Sequence, residues 1–162
     1  MEGLFGFILA GFAMVGSPGP ATLSLAATGA AFGARRGFGF LAGLVIGMIF
    51  VMGIIATGVM GVMLALPGAA PILTIMGTTY IIYLAFRIAT APPLTEADNQ
   101  HRPPSLFGGV FLNLVNPKAY AVMAALFSGF VLVEEALFLD AALKFIILLT
   151  LLIASVGFAF VF

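Results

Sequence analysis

The chain has no cysteine and no tryptophan, one histidine, and only 7% charged residues among its 162. Each shortage removes a class of chemistry. Without cysteine there is no disulfide, no thiolate metal site and no thiol redox centre, and the redox compartment leaves no trace in the sequence. Without tryptophan, an aromatic belt at a membrane interface has to rest on Tyr and Phe. Soluble domains carry roughly 25% charged residues. A chain with 7% cannot clothe a water-facing surface. Its net charge of zero excludes nucleic-acid binding, which needs a basic face against phosphate. A secretory signal is also missing: Glu2 stands where basic residues belong, and the apolar stretch from Leu4 to Thr28 outruns an h-region of about 7–15 residues. That stretch is expected to stay in the membrane.

What the chain does have is apolar length, with 63% hydrophobic residues and a mean hydropathy of +1.27. A membrane helix needs about 20 apolar residues. Five segments meet that test, at about 4–29, 38–66, 72–91, 106–133 and 139–162. The expected fold is all-α, a polytopic membrane helical bundle forming one domain over residues 1–162 in contact with the lipid bilayer. Between the spans, Ala34-Arg35-Arg36-Gly37 reads as a short basic loop and 67–71 as a tight uncharged turn. Residues 92–105 form a polar loop kept from helix by Pro92, Pro93, Pro103 and Pro104, and Glu134, Glu135 and Asp140 make the last connection acidic. Arg35, Arg36, Arg87 and Arg102 place the loops at about 30–38 and 91–105 in the cytoplasm and the N-terminus outside, with Lys144 in mild dissent. Gly39, Gly43 and Gly47 share one helix face. Ordinary close packing explains such a stripe, and a sliding interface is the alternative.

Two motifs interrupt these spans: Ser17-Pro18-Gly19-Pro20 in the first and Asn116-Pro117-Lys118 in the fourth. Proline lacks a backbone donor and clashes with the carbonyl four residues back. A freed carbonyl in lipid has no water to turn to, so a broken helix persists there only if buried in protein or lining a cavity. Matching breaks in two halves of a chain point to a transporter's binding site. For either motif alone, a simple proline kink is the plainer reading.

The halves do match. Pro18 and Pro117 lie 117 − 18 = 99 positions apart, and the same shift carries Phe12 to Phe111, Ser17 to Asn116, Gly58 to Gly157, and Arg35-Arg36 to Glu134-Glu135. The change of charge sign has a cause. Three spans separate the equivalents, which turns the second copy over in the bilayer, and a basic loop inside becomes its counterpart outside. The expectation is an inverted repeat of three-helix units, each with a broken first helix: repeat one at about 1–91 and repeat two at about 106–162. The second repeat has two spans where the first has three, so about five are present where about six are expected. The chain is therefore expected to be truncated before a last helix, with completion by a partner chain as the alternative.

Gly16-Ser17-Pro18-Gly19-Pro20, then Gly33-Ala34-Arg35-Arg36-Gly37, then Gly43 to Gly47, resemble the first part of the LysE/RhtB amino-acid exporters. Phe107-Gly108-Gly109-Val110-Phe111-Leu112-Asn113-Leu114-Val115-Asn116-Pro117-Lys118-Ala119 resembles the family's second signature. The order and spacing together are specific, and the likeness covers essentially the whole chain. It implies export of amino acids or close derivatives across a bacterial inner membrane, driven by protons through alternating access, with no cofactor. A homo-oligomer is compatible with the sequence.

The candidate substrate-binding residues are Ser17, Pro18, Gly19, Pro20, Asn116, Pro117 and Lys118. Gly19 permits unusual backbone angles, and carbonyls bared at the break suit a substrate ammonium. N–H groups where a helix restarts suit a carboxylate. Lys118 lies deep in the fourth span, where a charge costs about 2.5–3.5 kcal/mol on insertion scales. It either holds a substrate carboxylate or joins in proton coupling, or it snorkels to an interface. No proton carrier stands out. Glu134, Glu135 and Asp140 belong to the outer mouth, Asp140 and Lys144 are spaced for an i,i+4 ion pair, and His101 reads as a solvated loop residue. An intramembrane enzyme would need Ser with His, or paired aspartates, at membrane depth, and no such set occurs. A non-transporting subunit or inactive fragment is the remaining alternative.

Overall fold

In the computed structural model, residues 2–58 and 103–161 are described, with single helical positions between 71 and 86. The last eight residues of the expected 38–66 span (59–66), more than half of the third span, the loop at 92–102 and His101 lie outside the described residues.

Two bent helix pairs and two long helices make up the described fold. The first pair is α1 (Glu2–Gly16) and α2 (Pro20–Phe32), and α3 (Ala34–Ala56) follows. The second pair is α4 (Leu106–Leu114) and α5 (Pro117–Gly129), followed by α6 (Leu137–Val161). The pairs bend by 53° and 60° at their breaks, and each pair passes as one broken membrane span. The helix α3 and the first nineteen residues of α6 are each long and apolar enough to cross a membrane unbroken. No strand occurs among the described residues. The protein is an all-α polytopic membrane bundle, and its surface agrees. Phe5, Phe12, Phe38, Phe107 and Phe138 are 62–88% exposed, an apolar coat that water would not tolerate on this scale.

Two boundaries differ from the sequence reading. Ala34-Arg35-Arg36-Gly37 is the first turn of α3 and not a loop. The joint shrinks to Gly33, whose φ of +78° reverses the chain in a single residue while its N–H closes α2 onto Gly29 O. A side chain at that φ is strained, which is why glycine stands there. At its other end α3 stops at Ala56, short of the expected Leu66. The Thr57 hydroxyl turns back to Gly53 O and Ile54 O, both at 3.0 Å, and Gly58 adopts φ +72°.

The shift of 99 positions carries α1, α2 and α3 onto α4, α5 and α6, and the packing follows it. The helix α4 lies on α3 as α1 lies on α6, and α5 meets α3 as α2 meets α6. The core runs between them through Leu25, Phe40, Leu44, Met52, Leu112, Met123 and Leu148. The α3–α4 crossing is the tightest. A Cβ on Gly43 would sit 2.0 Å from Leu106 O, one on Gly47 2.8 Å from Val110 O, and one on Gly109 2.4 Å from Phe40 O. These glycines let backbone meet backbone. Gly39, expected on the same stripe, faces open space. From the third span, Tyr80 donates its hydroxyl to Gly108 O at 2.8 Å and sets its ring edge-on to Phe111.

Candidate functional site

Both breaks are built by prolines that start helices. Pro20 opens α2 and Pro117 opens α5. At the first helical position the missing N–H is an orphan anyway and the fixed φ suits the helix. So each motif ends one helix and begins another, where a kink would leave one helix bent. At the first break, Ser17 Oγ donates back to Met14 O at 2.8 Å, closing α1. At the second, Asn116 caps α5, its Oδ1 accepting from Lys118 N at 3.1 Å. The first helical bond of α2 is Leu23 N to Gly19 O, so the N–H groups of Ala21 and Thr22 stand ahead of the ladder.

The breaks meet. Lys118 Nζ donates to Ser17 O at 2.5 Å and to Pro18 O at 3.2 Å, across 101 and 100 positions of sequence. The ammonium of one break thus occupies carbonyls of the other, the same carbonyls that the sequence reading assigned to a substrate. Gly19 also has a different role from the one expected. Its φ of −159° is ordinary extended backbone. What demands glycine is space: a Cβ there would lie 2.7 Å from Lys118 Cδ and 2.9 Å from Nζ.

Behind this contact lies a cavity of about 50 Å³, enough for a few water-sized groups. Its polar lining comes from Gly19, Thr22, Asn113, Asn116 and Lys118, and its apolar wall includes Leu25, Met48 and Met123. Among the described residues no carboxylate lines it. Of the expected site residues, Gly19, Asn116 and Lys118 border the cavity directly. Ser17 and Pro18 contribute backbone carbonyls, while Pro20 and Pro117 only begin helices. The lysine lies against protein acceptors.

Asn113 was not singled out from the sequence. It is 1% exposed, and its Nδ2 donates to Leu44 O at 2.6 Å. Its Oδ1 is buried with no partner, an arrangement that costs about 1–3 kcal/mol. The available signal was a polar residue in an apolar run, one helical turn before the break.

Away from the cavity, Asp140 and Lys144 form the expected ion pair, at 2.6 Å, but the pair is buried. Asp140 Oδ1 also accepts from Leu132 N and Val133 N, and Lys144 Nζ donates to Phe127 O at 2.9 Å. Together they tie the end of α5, the irregular connection and the start of α6 into one knot. Among the described residues, no group of His, Asp and Glu is placed to hold a metal ion.

A family model described as LysE type translocator matches residues 12–162. The chain belongs to the LysE type translocator family. Curated relatives of this translocator include the cysteine/O-acetylserine efflux proteins of Escherichia coli (strain K12), Shigella flexneri serotype 5b (strain 8401) and Shigella sonnei (strain Ss046). Each is 30% identical over 142 residues, covering 87% of this chain and 69% of the relative. No solved structure matches. Family membership and the apolar helices together make the chain a multi-pass membrane translocator.

Proposed function

We propose that this translocator exports small, electrically neutral amino acids across a bacterial inner membrane, through the cavity between its two broken helices. The observation that carries this reading is the Lys118 contact: a half-buried ammonium from one break resting on the Ser17 and Pro18 carbonyls of the other. A carboxylate entering the cavity competes for that ammonium with a far stronger attraction than a neutral carbonyl exerts. Lys118 then releases the first break and turns to the ligand. Ala21 and Thr22 line the same cavity, and their leading N–H groups add positive partial charge beside the carboxylate. Binding is thereby coupled to the Lys118 contact that joins the two breaks, and this coupling supports an alternating-access reading. The relatives' names, cysteine and O-acetylserine efflux, support a small neutral substrate.

In this reading the halves are inverted repeats, the N-terminus lies outside, Arg35 and Arg36 face the cytoplasm, and the proton gradient drives export. The test is efflux of labelled cysteine from preloaded cells. Lys118→Met should cut export by about 10- to 100-fold, the worth of a hydrogen bond to a charged group, and a protonophore should abolish export by the unaltered protein. Normal export by Lys118→Met would remove the cavity from the transport path.

A further inference from the structure

Asn113 has no part in the cycle as described, yet its buried amide is held in one orientation at the cavity. Its Nδ2 bonds to Leu44 O at 2.6 Å. That bond fixes which way the amide faces, because turning it over would press Oδ1 against Leu44 O, acceptor to acceptor. Gly47 makes the position available, since a Cβ there would lie 2.9 Å from Asn113 Cβ. Oδ1 is left as a buried acceptor without a donor on a residue that lines the cavity. The Ser17 and Pro18 carbonyls are held by Lys118 before a ligand enters, and among the described residues no Asp or Glu borders the cavity. The cavity therefore offers one cation, Lys118, and, at Asn113 Oδ1, a buried neutral acceptor that is unfilled even while Lys118 holds the first break. A ligand bearing one carboxylate and one ammonium complements that pair, while a ligand with a second cationic group meets nothing to neutralise it.

We infer that Asn113 Oδ1 receives the α-ammonium of the transported zwitterion while Lys118 receives its carboxylate, which makes Asn113 the residue that selects amino acids over simple carboxylic acids. This rests on the cavity being the transport site.

Three thiol probes separate the two contacts. L-cysteine carries both charges, 3-mercaptopropionate lacks the ammonium, and cysteamine lacks the carboxylate. With the full natural chain in lipid nanodiscs, cysteine should bind at least about tenfold tighter than either analogue. Asn113→Leu should lower cysteine affinity to that of 3-mercaptopropionate and leave the latter unchanged. Lys118→Met should instead erase the preference for cysteine over cysteamine. Equal wild-type affinity for cysteine and 3-mercaptopropionate would overturn it with no variant needed. So would an Asn113→Leu protein that keeps the full preference for cysteine. If the wild type binds none of the three probes, the cavity itself is not the substrate site and both readings fall.

Discussion

The first break is made of a serine, two prolines and a glycine; the second is made of a capping asparagine, a proline and a lysine. They bend their helices by similar angles, 53° and 60°, yet they supply opposite things. The first offers two backbone acceptors and, at Gly19, an absence of side chain. The second offers a donor long enough to use both. On the proposed reading this difference suits an amino acid, whose two ends are unlike. A difference between the halves shows in the packing too. Where α4 crosses α3, backbone touches backbone through Gly43, Gly47 and Gly109. Where α1 crosses α6, a Cβ on Gly11 would meet only the side chains of Leu151 and Leu148, at 3.0 and 3.2 Å.

The greatest contrast between the halves is the buried Asp140–Lys144 pair, whose counterparts 99 positions earlier are Leu41 and Val45. Asp140→Leu should destabilise the protein by about 3–5 kcal/mol, since it leaves Lys144 buried and unpaired. Adding Lys144→Val copies the first half and should restore part of that loss. The restoration is incomplete because Leu132 N and Val133 N still lack their acceptor. Thermal unfolding in detergent measures both, and a double variant no better than the single one would mean the pair is not the unit. Next in size is Gly43→Ala, expected to cost about 1–3 kcal/mol or more by overpacking against backbone. Gly11→Ala should cost less, because leucine side chains can yield. Gly39→Ala, in open space on the same helix as Gly43, should be neutral or stabilise by up to about 1 kcal/mol; a loss there equal to that at Gly43 would erase the distinction. The smallest effect on stability belongs to Gly19→Ala, whose Cβ meets only the flexible end of Lys118. Unfolding should shift by less than about 0.5 kcal/mol, while the KM for export rises several-fold as Lys118 is displaced. An unchanged KM would show that this approach is incidental to transport.

The breaks were legible in the sequence because proline acts locally, and so was the pairing of Asp140 with Lys144, four residues apart on one helix. Gly43 and Gly47 were readable as a close-packed face. What escaped depends on contacts between distant residues. Nothing near Gly19 in sequence announces a lysine 99 positions later, so its lack of a side chain was credited to backbone angles. Gly39 shares a period with Gly43 and Gly47 but lies beyond the reach of α4, which periodicity alone does not register. Arg35 and Arg36 resembled a loop because charge marks a membrane boundary, yet a single glycine turned the chain and helix resumed at once. Asn113 stayed hidden among apolar neighbours because its importance lies in an oxygen left without company, a property only the folded chain possesses.

The glycine-lined crossing of α3 and α4 has one more consequence. With carbonyls of one rod wedged against the other, neither can slide or roll without the other, so the two must travel as a single block. That block takes one member from each half of the chain. On the proposed alternating-access reading, a rocking motion would hinge elsewhere, along seams cushioned by leucine, and its moving part would draw on both halves of the chain.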